Sequence, residues 1–90
     1  MRVARSIEEK LAAAFAPEEL LVEDESAKHA GHSGARPEGE THFRVRIVSE
    51  TFRGLSRLER QRRVHAALAE ELKSRVHALS LVTLTPDEAR

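Results

Sequence analysis

Cysteine is absent from this sequence of 90 residues. Its absence excludes a disulfide, a thiolate nucleophile and any cluster held by the chain's own sulfur. Metal chemistry in this chain therefore rests on His, Asp or Glu. Aromatic residues are scarce, with Phe15, Phe43 and Phe52 the whole set. The first two fit a core, so the chain lacks the stacking platforms on which bases are held. No apolar run approaches the ~20 residues of a membrane helix, and the opening MRVARSIEEK lacks the apolar stretch of a secretory signal. A cytoplasmic protein with no membrane contact is the expectation.

Net charge is missing too, with 15 basic and 15 acidic residues. The balance hides an uneven distribution. Between positions 44 and 63 stand Arg44, Arg46, Arg53, Arg57, Arg60, Arg62 and Arg63 against only Glu50 and Glu59. One surface can therefore carry a positive potential.

What is present suits a single domain over residues 1–90. A chain of this size buries one core, about 60 to 65% of the surface that the unfolded chain exposes. Its 40% hydrophobic content supplies that core and argues against a disordered chain.

Ser6-Ile7-Glu8-Glu9 reads as a capping box that opens a helix over about 7–16, with Ile7, Leu11 and Phe15 on one stripe and Pro17 at the exit. Leu20 to Asp24 reads as a first strand. Residues 25–40 contain Gly31, Gly34, Pro37 and Gly39, which predicts a long irregular loop. His42 to Val48 alternates, with Phe43, Val45 and Ile47 inward and His42, Arg44 and Arg46 outward. After Gly54, Ser56 and Glu59 form a second capping box for a helix over about 57–73. Its expected buried stripe is Leu58, Gln61, Val64 or His65, Leu68 and Leu72. Val76 to Leu84 reads as a third strand. Thr85-Pro86-Asp87-Glu88 combines an N-cap, proline at the first helical position and a glutamate three after the cap, predicting a short terminal helix.

The order is α-β-β-α-β(α), an α+β fold with a three-stranded mixed sheet and helices on one face. Strands one and two pair antiparallel, and a right-handed crossover makes strands two and three parallel. That topology gathers His77, His42 and the loop residues His29 and His32 at one end of the sheet. Neutral imidazole is a good ligand for iron, zinc or copper. A single histidine at a strand edge is more often an ordinary surface group, and His65 sits on the helix away from this end. H-x-x-H without thiols does not close a zinc site. Completion of the site by another molecule is the sharper reading.

The segments Ile7 to Pro17, Val22 to His29, T-H-F-R-V-R-I-V-S at Thr41 to Ser49, Phe52 to Val64, Leu68 to Leu72 and V-H-A-L-S-L at Val76 to Leu81 resemble, in order and spacing, the BolA family. The resemblance spans nearly the whole chain. It implies a class II KH-like fold and a non-enzymatic adaptor that partners monothiol glutaredoxins. It further implies a [2Fe-2S] cluster shared between the two proteins for iron-sulfur trafficking or iron-responsive regulation, with no cofactor on the isolated chain. His77 and His29 would be ligands from this side, His32 being an alternative in the loop, while the glutaredoxin cysteine and glutathione would supply the rest. Two imidazoles on one iron and sulfur on the other is a known way to hold such a cluster. Ligand loss by protonation implies that the complex weakens as pH falls. When free, the chain is expected as a monomer or weak homodimer.

The competing expectation is a DNA-binding regulator that uses the helix-turn-helix-like segment 53–63, with Arg53, Arg57, Arg60, Arg62 and Arg63 on phosphates or bases. Three features weigh against it. The G-x-x-G clamp of KH domains is missing, Arg60-Gln61-Arg62 stands where the family often has R-H-R, and the aromatics are few. Catalysis is not expected, because Ser26 and His29 lack a third group and oxyanion donors.

Overall fold

The computed structural model describes residues 2–25, 42–74 and 76–90. Its elements are α1 (Arg2–Phe15), β1 (Glu19–Asp24), β2 (His42–Val48), a 3-10 turn (Glu50–Phe52), α2 (Arg57–Ala67), α3 (Ala69–Ser74), β3 (Ala78–Leu84) and α4 (Pro86–Ala89). The sheet runs β1-β2-β3, antiparallel across the first pair and parallel across the second, as expected from the order of elements.

The alternation in β2 has its expected consequence. Phe43, Val45 and Ile47 are buried on the face that meets the helices, together with Ile7, Leu11 and Phe15 of α1 and Val64 and Leu68 from the second helical region. Phe52 is fully buried in the same core, its ring 5.2 Å from that of Phe15 and beneath the guanidinium of Arg60. An aromatic in such a place contributes several kcal/mol, about 3 to 5 on truncation to alanine.

Several local expectations are corrected. α1 begins at Arg2 rather than near Ile7. Val3 and Ala4 pack against the core and extend the stripe backwards. Ser6 is thus inside the helix, and its hydroxyl donates instead to Glu71 at 2.7 Å. α1 ends with Ala16 in a left-handed conformation, φ 44°, before Pro17, which disfavours a further helical residue.

The helix expected over 57–73 is two pieces that meet at Leu68. Leu68 takes φ −106° and its N–H reaches the carbonyls of Val64 and His65, while its side chain stays buried. Ser56 caps the first piece, accepting from the Glu59 N–H at 3.1 Å. Leu58 leaves the expected stripe and is exposed, being in the first turn ahead of the core contact. Gly54 at φ 82° makes the turn into this helix, a conformation that side chains with a Cβ resist.

β3 starts at Ala78 instead of Val76. Val76 is buried below the sheet end, and His77 forms a bend just before the strand. α4 forms as expected, with Thr85 and Glu88 making a reciprocal capping box around Pro86.

Candidate metal-ligand end of the sheet

The two kinds of strand pairing bring three chain ends together. Asp24 lies opposite Phe43, and His42 lies opposite Ala78. The Glu25 N–H donates to the His42 carbonyl at 2.7 Å, so the chain leaves the sheet and re-enters it at this same end. His29 and His32, the expected loop ligands, fall between those two points and lie outside the described residues.

His77 is presented by its neighbours. Val76 anchors into the core, and its N–H donates to the Glu71 carbonyl at 3.0 Å. Glu71 is in turn held by Ser6 and by Lys10, whose Nζ is 2.8 Å from it and 3.0 Å from Glu70. Burial raises the Glu71 carboxyl, yet the bonds from Lys10 and Ser6 outweigh it and hold the group below its ordinary value. With Val76 pointing inward, His77 points out and is exposed.

The His77 ring meets that of half-buried His42, with centroids 6.4 Å apart and planes at 27°. Two imidazoles without thiolates form a donor set for iron, zinc or copper rather than for calcium or magnesium. Among the described residues, no group of three or more His, Cys, Asp or Glu comes together to hold a metal ion. These donors fit part of a shared site, nitrogen on one iron with sulfur supplied from elsewhere. The closeness of His42 to His77 agrees with the expectation that the parallel register brings these two strand starts together.

The arginines divide into two groups. Arg60 is mostly buried: its guanidinium donates to the carbonyls of Leu55 and Thr83, each at 3.0 Å, and pairs with Glu88 at 2.6 Å. Arg53 pairs with Glu50 and with Asp87 at 3.0 Å, and Arg63 sits 3.4 Å from Glu59. Arg57 and Arg62 are exposed, and no ion pair holds either among the described residues. Arg57, Arg60, Thr83, Leu84 and Glu88 line an open cleft of about 380 Å³ beside α4. The acids of α4 that occupy Arg53 and Arg60 were readable only as a capping box.

A three-stranded mixed sheet backed by helices, with a histidine pair at one end, defines a small α+β domain that carries two imidazoles at the tip of its sheet. No helix among the described residues is long and apolar enough to cross a membrane. The chain belongs to the BolA-like protein family, whose model matches residues 11–88. It is 47% identical over 88 residues to the chloroplastic protein BOLA1 of Arabidopsis thaliana, covering 96% of this chain and 55% of that one. It is also 47% identical over 88 residues to the DNA-binding transcriptional regulator BolA of Escherichia coli, covering 98% of this chain and 80% of that one. The solved BolA domain of SufE1 from Arabidopsis thaliana superposes with a TM-score of 0.84 at 49% identity, over 94% of this chain and 93% of that domain. The chain thus spans about half the length of the plant relative.

Proposed function

We propose that this chain is a non-enzymatic adaptor of the cytoplasm that binds a monothiol glutaredoxin and supplies histidine ligands to a bridged [2Fe-2S] cluster. The cluster is cargo, for iron-sulfur trafficking or iron-responsive control. His77 is one ligand and His29 or His32 the other, the glutaredoxin cysteine and glutathione completing the set. The observation that carries this reading is the exposed His77 at the sheet end where the chain departs at Glu25 and returns at His42. Its backbone is placed by buried Val76, so the side chain leaves the fold on the solvent side. The absence of cysteine accords with a site whose sulfur comes from a partner.

The test is reconstitution. Mixing the chain with a monothiol glutaredoxin, iron, sulfide and glutathione gives a heteromeric cluster spectrum distinct from that of the glutaredoxin homodimer. An unchanged spectrum with His77→Ala refutes the ligand role.

A second reading, DNA binding by a regulator, is favoured by the name of the Escherichia coli relative. Its candidate contacts reduce chiefly to Arg57 and Arg62, since Arg53, Arg60 and Arg63 are engaged by acids of this chain.

A further inference from the structure

The two outer strands of the sheet differ in chemistry. β1 carries Glu19, Glu23 and Asp24, and charges on an edge discourage pairing with another chain. β3 reads A-L-S-L-V-T-L, with no charge, proline or glycine to blunt it. The Ser49 N–H donates to the Leu84 carbonyl at 2.8 Å, so Leu84 and, by alternation, Val82, Ser80 and Ala78 turn their backbone groups to β2. Leu79, Leu81 and Thr83 turn theirs to the open side. Thr83 is capped there, its carbonyl accepting from Arg60 at 3.0 Å. Among the described residues, nothing bonds the outward N–H and C=O of Leu79 and Leu81.

What remains open is a self-complementary set. A two-fold axis through Ser80, normal to the sheet, sets Leu79 against Leu81 of a second copy and Leu81 against its Leu79. Each such pair exchanges both N–H···O=C bonds of an antiparallel ladder. The Arg60 bond to Thr83 survives in this register, whereas an axis through Leu81 draws Thr83 into the ladder. The side chains agree with it. Leu79 and Leu81 stand in register with buried Phe43 and Val45 and are half-buried at the margin of the core, so the leucines of the copy continue that core. On the other face, exposed Ser80 meets Ser80 of the copy with no charge between them. The same operation on β1, about Leu21, sets Glu19 against Glu23 of the copy, and like charges directly opposite repel.

We propose that β3 is a homotypic docking edge, pairing antiparallel with β3 of a second copy about Ser80 into one continuous sheet. The contact is short, so the dimer is weak and forms with rising concentration. It is independent of the adaptor reading above and survives the failure of that reading.

Sedimentation equilibrium and amide exchange of the full chain at rising concentration test the pairing. Dimers accumulate toward millimolar protein, and exchange of the Leu79 and Leu81 N–H groups slows in step with them. Ser80→Lys and Ser80→Glu each put like charges face to face on the axis and weaken the dimer roughly two- to fivefold. An equal mixture of the two variants restores association, which also shows that each one folds. A strict monomer at millimolar concentration overturns the proposal, as does a dimer whose Leu79 and Leu81 amides exchange as in the monomer. Self-association indifferent to either charge, or no gain on mixing, overturns it as well. Protection of those amides only when a glutaredoxin is added makes the edge a docking site for a different protein and overturns the second copy as its occupant.

Discussion

Arg60 of α2 and Glu88 of α4 hold each other through a two-point contact, Nη1 to Oε1 at 2.6 Å and Nη2 to Oε2 at 3.2 Å. The same guanidinium donates to the carbonyls of Leu55 and Thr83, so one side chain ties the turn before α2, the end of β3 and the terminal helix. Arg60→Ala leaves those acceptors without their donor and costs about 2 to 3 kcal/mol in urea unfolding. Arg60→Lys keeps the charge but not the planar fork, and recovers only part of the loss. A variant as stable as the parent would contradict this role.

The Glu88 carboxyl is held down to about 2 from its ordinary 4.5, first by the hydrogen bond from Arg60 and next by the Thr85 backbone N–H. A folded value below the unfolded one means that the carboxylate stabilises the fold in full above pH 4.5 and loses this effect as pH falls toward 2. Amide exchange in α4 should accelerate across that window, and Glu88→Gln should remove this part of the pH dependence. A flat profile in the parent chain would count against the pairing.

For the nucleic-acid reading, Arg57 and Arg62 are the informative positions. Each contacting arginine that is removed should lower the slope of log affinity against log salt by about 0.9. Stability should change by less than about 0.5 kcal/mol, because both side chains are exposed. A salt-independent affinity at low ionic strength, or none, disposes of this reading.

Comparison of His29→Ala with His32→Ala separates the loop ligands. One of the two should abolish the heteromeric cluster spectrum along with His77→Ala, and the other should leave it intact. If both leave it intact, the second ligand is not either loop imidazole.

Ala16 sits in the left-handed region just past α1. Glycine reaches that conformation freely whereas alanine strains to do so, by about 1 to 2 kcal/mol. Ala16→Gly should therefore raise the thermal midpoint, after allowance for its greater unfolded-state entropy. A lowered midpoint would place the strain elsewhere.

The strand order and the inward set Phe43, Val45 and Ile47 were legible because a period of two leaves little freedom once one face is apolar. The terminal helix was legible for a different reason: threonine, proline and glutamate at fixed offsets satisfy the same orphan backbone groups wherever they occur. Ser6 shows where such local logic fails. Its S-x-x-E spacing resembles a cap, but the helix gains by burying Val3 and Ala4, and the freed hydroxyl bonds across the fold to Glu71. The break at Leu68 has no glycine or proline to announce it and reflects the need to bury both Leu68 and Val76 from a short connection. For the site, convergence of strand ends was readable from topology, and Glu25, His42 and Ala78 meet as that topology requires. The meeting of His42 and His77 was readable from the same topology, whereas the bend at His77, which begins β3 two residues later than the apolar run suggested, was not.

The seam in which Ser6 and Lys10 of α1 grip Glu71 gives the His77 end of the sheet a dependence on distant parts of the chain. Glu71 also fixes Val76 through its carbonyl, and Val76 steers His77. The placement of the imidazole is thus coupled to the docking of the first helix. Presentation of that ring becomes a property of the finished fold.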